Sequence, residues 1–259
     1  LASLPIKFRV ETLVRVARKN PFFFFDFDGT LTEIVSHPRQ VRFKTITRFI
    51  LEELVKQFSV GVLSGRKLSE VKQLIGVKGL YYSGNHGVEI EGPGLRFVEP
   101  QSVKSLKDIL LISKTISRQL RNYDVLIEQK KYSVSVHYRN LKPKIAKAAF
   151  SELNAILEKP LHRGKVRILH GKKVVEIRPP VDWDKGKALK LILKKTRRGG
   201  IPVFFGDDMT DEYGFEETNR LRGVSVFVGK RRGNTSARYW IESPSALIGE
   251  LSRFLFLIG

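Results

Sequence analysis

At 259 residues and 42% hydrophobic, the chain is long enough for one large core, or for one core with a smaller satellite domain. No apolar run approaches the ~20 residues that span a bilayer, and residues 1–20 mix Lys and Arg throughout with no leader-like profile, so a soluble, cytoplasmic protein without a membrane partner is expected. Zero cysteines exclude disulfides, thiolate metal sites and a cysteine nucleophile, while a formal charge of +21 favours anionic ligands without choosing among them.

Residues 22–27 are apolar apart from Asp26, follow Pro21 and end in Asp28, Gly29 and Thr30, which predicts a strand buried on both faces. A helical pattern over 45–58, with Ile46, Phe49, Ile50, Leu54 and Val55 on one face, precedes an apolar run at 60–63 that ends in Ser64 and Gly65. Leu68, Val71, Leu74 and Ile75 mark a second amphipathic helix stopped at Gly76, and 80–83 reads as a third strand. This alternation predicts an α/β fold with a parallel-sheet core and helices on its faces.

Between 100 and 180 the rhythm changes to helix (102–120), strands (125–129, 132–138), helix (143–157) and strands (166–169, 173–177). Short strands in adjacent pairs predict an inserted α+β domain of order αββαββ, bounded by Pro100 and by Pro179 with Pro180. The flanking stretches, 1–99 and 181–259, then form the core, which continues with a helix opening at Asp184 and Lys185, strands at 202–205 and 224–228, and a final helix over 244–257.

Three of the core strands end in polar residues: Asp26 with Asp28, Ser64, and Asp207 with Asp208. Ligands of open α/β sheets bind beyond the carboxyl ends of strands, so these groups converge although distant in sequence. Asp26 and Asp28 share a side of the chain with Phe27 opposite, and carboxylates this close repel until a divalent cation relieves them. With no thiolate and five histidines lacking paired helical spacing, that cation sits on oxygen, which points to Mg2+. Thr30 and Ser64 can donate to a phosphoryl oxygen, and Lys185 can neutralise it. Singly, each has an ordinary explanation: Ser64 or Asp184 as helix caps, Lys185 as a solvated charge.

Together these residues resemble the haloacid-dehalogenase superfamily of phosphohydrolases, with Asp26-Phe27-Asp28-Gly29-Thr30-Leu31-Thr32, Ser64, Lys185 and Gly206-Asp207-Asp208 with Asp211 as its four motifs. The resemblance implies that Asp26 attacks phosphorus, that Asp28 protonates the leaving oxygen and then activates water, and that Asp26, the Asp28 carbonyl and Asp207 hold magnesium. It leaves Asp208 and Asp211 as either further ligands or supporting groups.

Glu128-Gln129-Lys130, the stretch 133–139, Gly171-Lys172 and Glu176-Ile177-Arg178-Pro179, with Ser83-Gly84-Asn85-His86-Gly87, resemble trehalose-6-phosphate phosphatases in particular. That resemblance implies contacts to the sugar phosphate from Gly65, Arg66 and Asn85 in the core and from Glu128, Lys130, Arg139, Lys172 and Glu176 in the inserted domain, which closes over the crevice. Cross-strand ion pairing is the competing explanation for the acidic and basic residues of that domain. Gln129 replaces a frequent acidic residue and is expected to face away from Glu128 and Lys130.

Three other functions compete with this reading. Another sugar-phosphate phosphatase or a phosphohexomutase of the same superfamily shares the aspartyl chemistry, the mutase transferring the phosphoryl group to a second sugar hydroxyl instead of water. A nucleic-acid-binding module would account for the charge, yet the basic runs Lys194, Lys195, Arg197, Arg198 and Lys230, Arg231, Arg232 lack interleaved aromatics, and nucleic acid is disfavoured as a partner. No residue pattern demonstrates a trehalose-6-phosphate synthase partner.

Overall fold

The computed structural model describes residues 4–35, 40–171, 173–196, 200–230 and 233–259. His37, Lys172 and the arginines 197, 198, 231 and 232 therefore lie outside the described residues. The chain divides into two compact units, Leu1–Phe97 with Trp183–Gly259, and Val98–Asp182.

The first unit begins with β1 (Ile6–Lys7), α1 (Val10–Ala17), β2 (Phe22–Phe25), α2 (Thr45–Gln57), β3 (Ser59–Leu63), α3 (Leu68–Ile75), β4 (Tyr81–Gly84), β5 (Glu89–Gly92) and β6 (Leu95–Val98). The second contains α4 (Pro100–Lys104), α5 (Leu106–Gln119), β7 (Leu126–Gln129), β8 (Val134–His137), α6 (Pro143–His162), β9 (Arg167–Gly171) and β10 (Val174–Arg178). The first unit resumes with α7 (Lys185–Lys195), β11 (Pro202–Gly206), α8 (Glu212–Arg220), β12 (Val224–Val228), β13 (Tyr239–Ile241) and α9 (Pro244–Ile258).

The nine strands of the first unit are ordered β1-β13-β12-β11-β2-β3-β4-β5-β6. Among the described residues the pairings from β1 through to β4 are parallel, and β5 joins β4 antiparallel. β2 lies between β11 and β3, so its four phenylalanines have paired backbone on both sides and wholly buried side chains. Their alternation divides the core: Phe23, Phe25 and Phe27 pack in one cluster with α2 and α9 residues, and Phe22 and Phe24 in the other with α7 residues. The rings continue across strands, with Phe25 stacked on Phe205 at 5.0 Å between centroids.

On α2 the buried residues are Thr47, Ile50, Leu51 and Leu54, whereas Ile46 and Phe49 are exposed, which corrects the expected apolar face. Apolar spacing alone admitted a stripe about one position out of phase. α3 stops at Gly76, which takes the left-handed φ of 68° that a helix end needs. The helix expected over 102–120 is divided into α4 and α5 at Ser105.

In the second unit, the antiparallel sheet β7-β8-β10-β9 buries Val134, Val136, Val175 and Ile177 with Ile109, Ile112 and Ile116 of α5 and Leu153 and Leu157 of α6. Gln129 accepts a hydrogen bond from the Ser113 hydroxyl of α5 at 3.0 Å, placing it on the side of the strand opposite to Glu128 and Lys130.

Candidate active site

Parallel strands β2, β3 and β11 are neighbours, so Asp26, Ser64 and Asp207, which follow their last residues, arrive at one end of the sheet. Asp26 is fixed through its backbone N–H, which donates to Phe205 O at 2.8 Å. Phe27 is wholly buried in the opposite direction, and Asp28 emerges half-buried.

Lys185 occupies the centre of the cluster. Asp184 caps α7 by accepting from Lys187 N, so the helix begins with Lys185 pointing inward, only 2% exposed. Its Nζ donates to Asp26 Oδ1 at 2.6 Å and to Asp211 Oδ1 at 2.7 Å. The capping explanation thus holds for Asp184, whereas Lys185 is a buried cation shared by two carboxylates, and Ser64 caps nothing. The Ser64 hydroxyl accepts from Arg66 N at 3.1 Å, and α3 is preceded at its cap by Lys67.

Asp211 is also wholly buried, and its Oδ2 accepts from the backbone N–H groups of Asp207 and Asp208, each at 3.1 Å. It therefore ties the end of β11 to Lys185. Asp208 turns to accept from Thr210 N and Oγ1, both at 2.7 Å. Sequence left these two aspartates undivided; the structure gives Asp211 the central position and Asp208 the cap.

The charge balance is strongly negative. Burial pushes the Asp26 carboxyl well above the carboxylate range, opposed by Lys185 and reinforced by Asp207 and Asp208. Burial, then Asp211 and Asp208, pushes Asp207 up to about 8. Desolvation acts to raise Asp208 too, but Lys185 and the Thr210 hydroxyl outweigh it and bring that group down to about 2. Lys185 is raised despite its burial because Asp211, Asp26 and Asp208 surround it.

Asp26, Asp207 and Asp211 each offer an oxygen within 4.8 Å of the others, so this cluster can hold a metal ion. Its donors are all hard oxygens, and one ammonium does not neutralise them, which fits a divalent cation. Gly29 makes the approach feasible: its φ is 95°, and a Cβ there would lie 2.2 Å from Asp207 Oδ2. Thr30 is wholly buried, with its hydroxyl 3.5 Å from Asp207 Oδ1.

Arg66 and Asn85 complete the rim. Asn85, at φ 50°, donates its N–H to Arg66 O at 2.7 Å and its Nδ2 to Glu89 at 2.8 Å, leaving Oδ1 buried without a partner among the described residues. Arg66 forms a two-pronged pair with Asp28, Nε to Oδ2 and Nη2 to Oδ1, both at 2.7 Å, and its Nη1 donates to Glu70. Glu70 did not emerge from the motifs; its signal was the i,i+4 spacing from Arg66.

A model described as trehalose-phosphatase matches residues 24–245, which include every one of these core residues. The chain belongs to the trehalose-phosphatase family. Among curated relatives of this trehalose-phosphatase family chain, the trehalose-phosphate phosphatase of Mycobacterium avium is 34% identical over 243 residues, 89% of this chain and 61% of that protein. The chain thus spans about three fifths of that relative's length. Probable trehalose-phosphate phosphatase 4 of Oryza sativa subsp. japonica is 32% identical, covering 95% of this chain and 68% of that one. The C-terminal domain of the C. albicans trehalose-6-phosphate phosphatase superposes with a TM-score of 0.79 at 21% identity, over 99% and 100% of the two chains, and shares the haloacid-dehalogenase fold.

Of the second unit's expected substrate residues, Glu128, Lys130 and Glu176 have partners within that unit, and Lys172 lies outside the described residues. Glu176 Oε1 accepts from Ser133 Oγ at 2.9 Å and Lys130 Nζ at 3.2 Å, while its Oε2 accepts from Arg178 Nε at 2.8 Å. Glu128 lies 3.4 Å from His137 Nε2, and Arg139 is exposed in the turn after β8. Ion pairing between strands accordingly describes Lys130 with Glu176, whereas Arg178 pairs with Glu176 along the same strand, β10.

Proposed function

We propose that this chain hydrolyses trehalose 6-phosphate to trehalose and phosphate with Mg2+, through a phosphoaspartate on Asp26. The observation that carries the reading is the buried Lys185 bridge between Asp26 and Asp211 beside Asp207, in a chain whose relatives are trehalose-phosphate phosphatases.

Asp26 is fixed by its own N–H and by Lys185, which leaves its carboxylate aligned for attack on phosphorus rather than free to rotate. As the P–O bond to the sugar breaks, Asp28 supplies the proton to the leaving oxygen. It takes a proton back from the water that then cleaves the phosphoaspartate. Ser64, Thr30 and the backbone at Gly65 receive the phosphoryl oxygens, and Lys185 offsets their charge. Asp26, Asp207 and the Asp28 carbonyl would hold the cation, and Asp211 fixes the loop carrying Asp207 and the ammonium of Lys185. When bound, the cation offsets phosphate charge and orients the ester.

In this reading residues 1–99 and 181–259 form the catalytic core, and 100–180 the domain that selects the sugar. Glu128, Lys130, Arg139, Lys172 and Glu176 would hydrogen-bond the sugar hydroxyls, with Lys130 and Glu176 giving up their mutual pair. The reaction belongs in the cytoplasm, where a charged sugar phosphate is retained; among the described residues no helix is long and apolar enough to cross a membrane.

The test is phosphate release from trehalose 6-phosphate, sucrose 6-phosphate, glucose 6-phosphate, mannose phosphates and a nucleotide, with Mg2+ or chelator and with Asp26→Asn. Preference for trehalose 6-phosphate, lost with chelator and in Asp26→Asn, is the expected result. Isomerised sugar phosphate without phosphate release would instead indicate a mutase.

A further inference from the structure

Arg66 is expected from sequence to bind substrate, yet the residue is only 8% exposed and its guanidinium is taken up by protein carboxylates. Nε and Nη2 face the two oxygens of Asp28, each at 2.7 Å, in the planar fork geometry that fixes a carboxylate's rotation as well as its position. Nη1 is held by Glu70, one turn further along on α3. The guanidinium carbon lies 5.4 Å from the centroid of Phe27, a ring with no exposure. Arg66, Glu70 and Phe27, from the β2 end and the α3 start, therefore define one orientation of Asp28.

We propose that Arg66 and Glu70 are positioning residues that hold the Asp28 carboxylate for the hydrolysis of the phosphoaspartate. The inference rests on the reaction proposed above and concerns its second half. There, water attacks phosphorus, the bond from phosphorus to the Asp26 oxygen breaks, Asp26 regains its carboxylate, the proton from water passes to Asp28, and phosphate leaves. In that half the water is oriented chiefly by the carboxylate that takes its proton, so the fork that fixes both oxygens of Asp28 acts there, whereas in the first half the leaving oxygen is already held as part of the bound ester. Glu70 keeps Arg66 turned toward Asp28; without it the long side chain regains rotamers that break the fork.

This separates the pair from a substrate-binding role. Slowing only the second half lowers kcat and KM together and leaves kcat/KM unchanged, whereas losing a substrate contact raises KM and lowers kcat/KM. The experiment is rapid-quench kinetics with trehalose 6-phosphate and Mg2+, measuring formation and decay of the phosphoenzyme in wild type, Glu70→Gln and Arg66→Lys, with thermal melts alongside. Arg66→Lys keeps the charge and removes the fork.

In Glu70→Gln we expect decay slowed about tenfold, the effect of losing one charge-assisted hydrogen bond, formation unchanged within about twofold, and a larger steady-state phosphoenzyme fraction. Arg66→Lys should show the same pattern at a larger magnitude. Equal slowing of formation and decay, or a raised KM with unchanged decay, would overturn the positioning role. If wild type forms no phosphoenzyme on Asp26, the reaction itself fails; if it forms one whose decay is the same in both variants, only the role of this pair fails.

Discussion

Replacing Lys185 by Met tests the centre of the site. The ammonium has 3% side-chain exposure and bridges Asp26 and Asp211, whose side chains are 7% and 0% exposed, at 2.6 and 2.7 Å. Methionine fills similar volume but leaves two buried carboxylates facing one another, and breaking a buried pair in this way costs about 3–5 kcal/mol. At this chain length each kcal/mol shifts Tm by roughly 2–4 °C, so a fall of roughly 6–20 °C is expected in metal-free protein at pH 8. Asp211→Asn in the Lys185→Met background removes one stranded charge and should recover part of the loss, with a coupling of about 1–3 kcal/mol between the two changes. Urea melts of both single variants and the double variant measure this directly. A single variant as stable as wild type, or strict additivity, would refute the view that Lys185 compensates Asp26 and Asp211 jointly.

Asp207 gives a pH dependence. Its folded pKa is raised to about 8, so its contribution to stability is complete below the ordinary carboxylate range and is lost as pH rises through about 8. Chelated protein should therefore lose stability between pH 6 and 9, and added Mg2+, which displaces that proton, should raise Tm more at pH 9 than at pH 6; a pH-independent metal shift would contradict the assignment. Gly29→Ala forces a Cβ to within 2.2 Å of Asp207 Oδ2 at φ 95°. The strain of about 1–2 kcal/mol adds to an overpacking cost of about 1–3 kcal/mol, and displacement of Asp207 should lower kcat roughly 100-fold, read by phosphate release. Tyr82→Phe serves as the contrasting variant. The hydroxyl joins Val77 N and O at 3.1 and 2.6 Å, and its loss should cost about 1–3 kcal/mol in urea melts with kcat unchanged.

The order of strands and helices was legible because period and punctuation agreed locally: the phenylalanine run of β2, the glycine end of α3 and the paired short strands of the second unit each specify one local structure. Most elements outside the sequence reading are strands of two to four residues, with α1 and α8 the helices it also left out. β1, two residues long, exists by pairing parallel with β13, itself only three residues, and neither segment carries that partnership in its own pattern. The α2 face went astray for a related reason. Ile46 and Phe49 are as apolar as the residues that are buried, and only the position of the sheet and α9 selects which side of the helix turns inward.

The candidate site divides along the same line. Residue types at strand ends put Asp26, Asp28, Ser64 and Asp207 forward as candidates from sequence alone, because strand alternation and the carboxyl-end rule are local geometry. Sequence equally placed Lys185 at a helix start. Its burial between Asp26 and Asp211, the separation of Asp211 from Asp208, and the capture of Arg66 by Asp28 and Glu70 were decided by tertiary structure. A charged side chain has many rotamers and several oppositely charged neighbours within reach, and sequence spacing does not rank them. Packing does, by removing water from some of those arrangements and leaving only the fully paired ones at low energy.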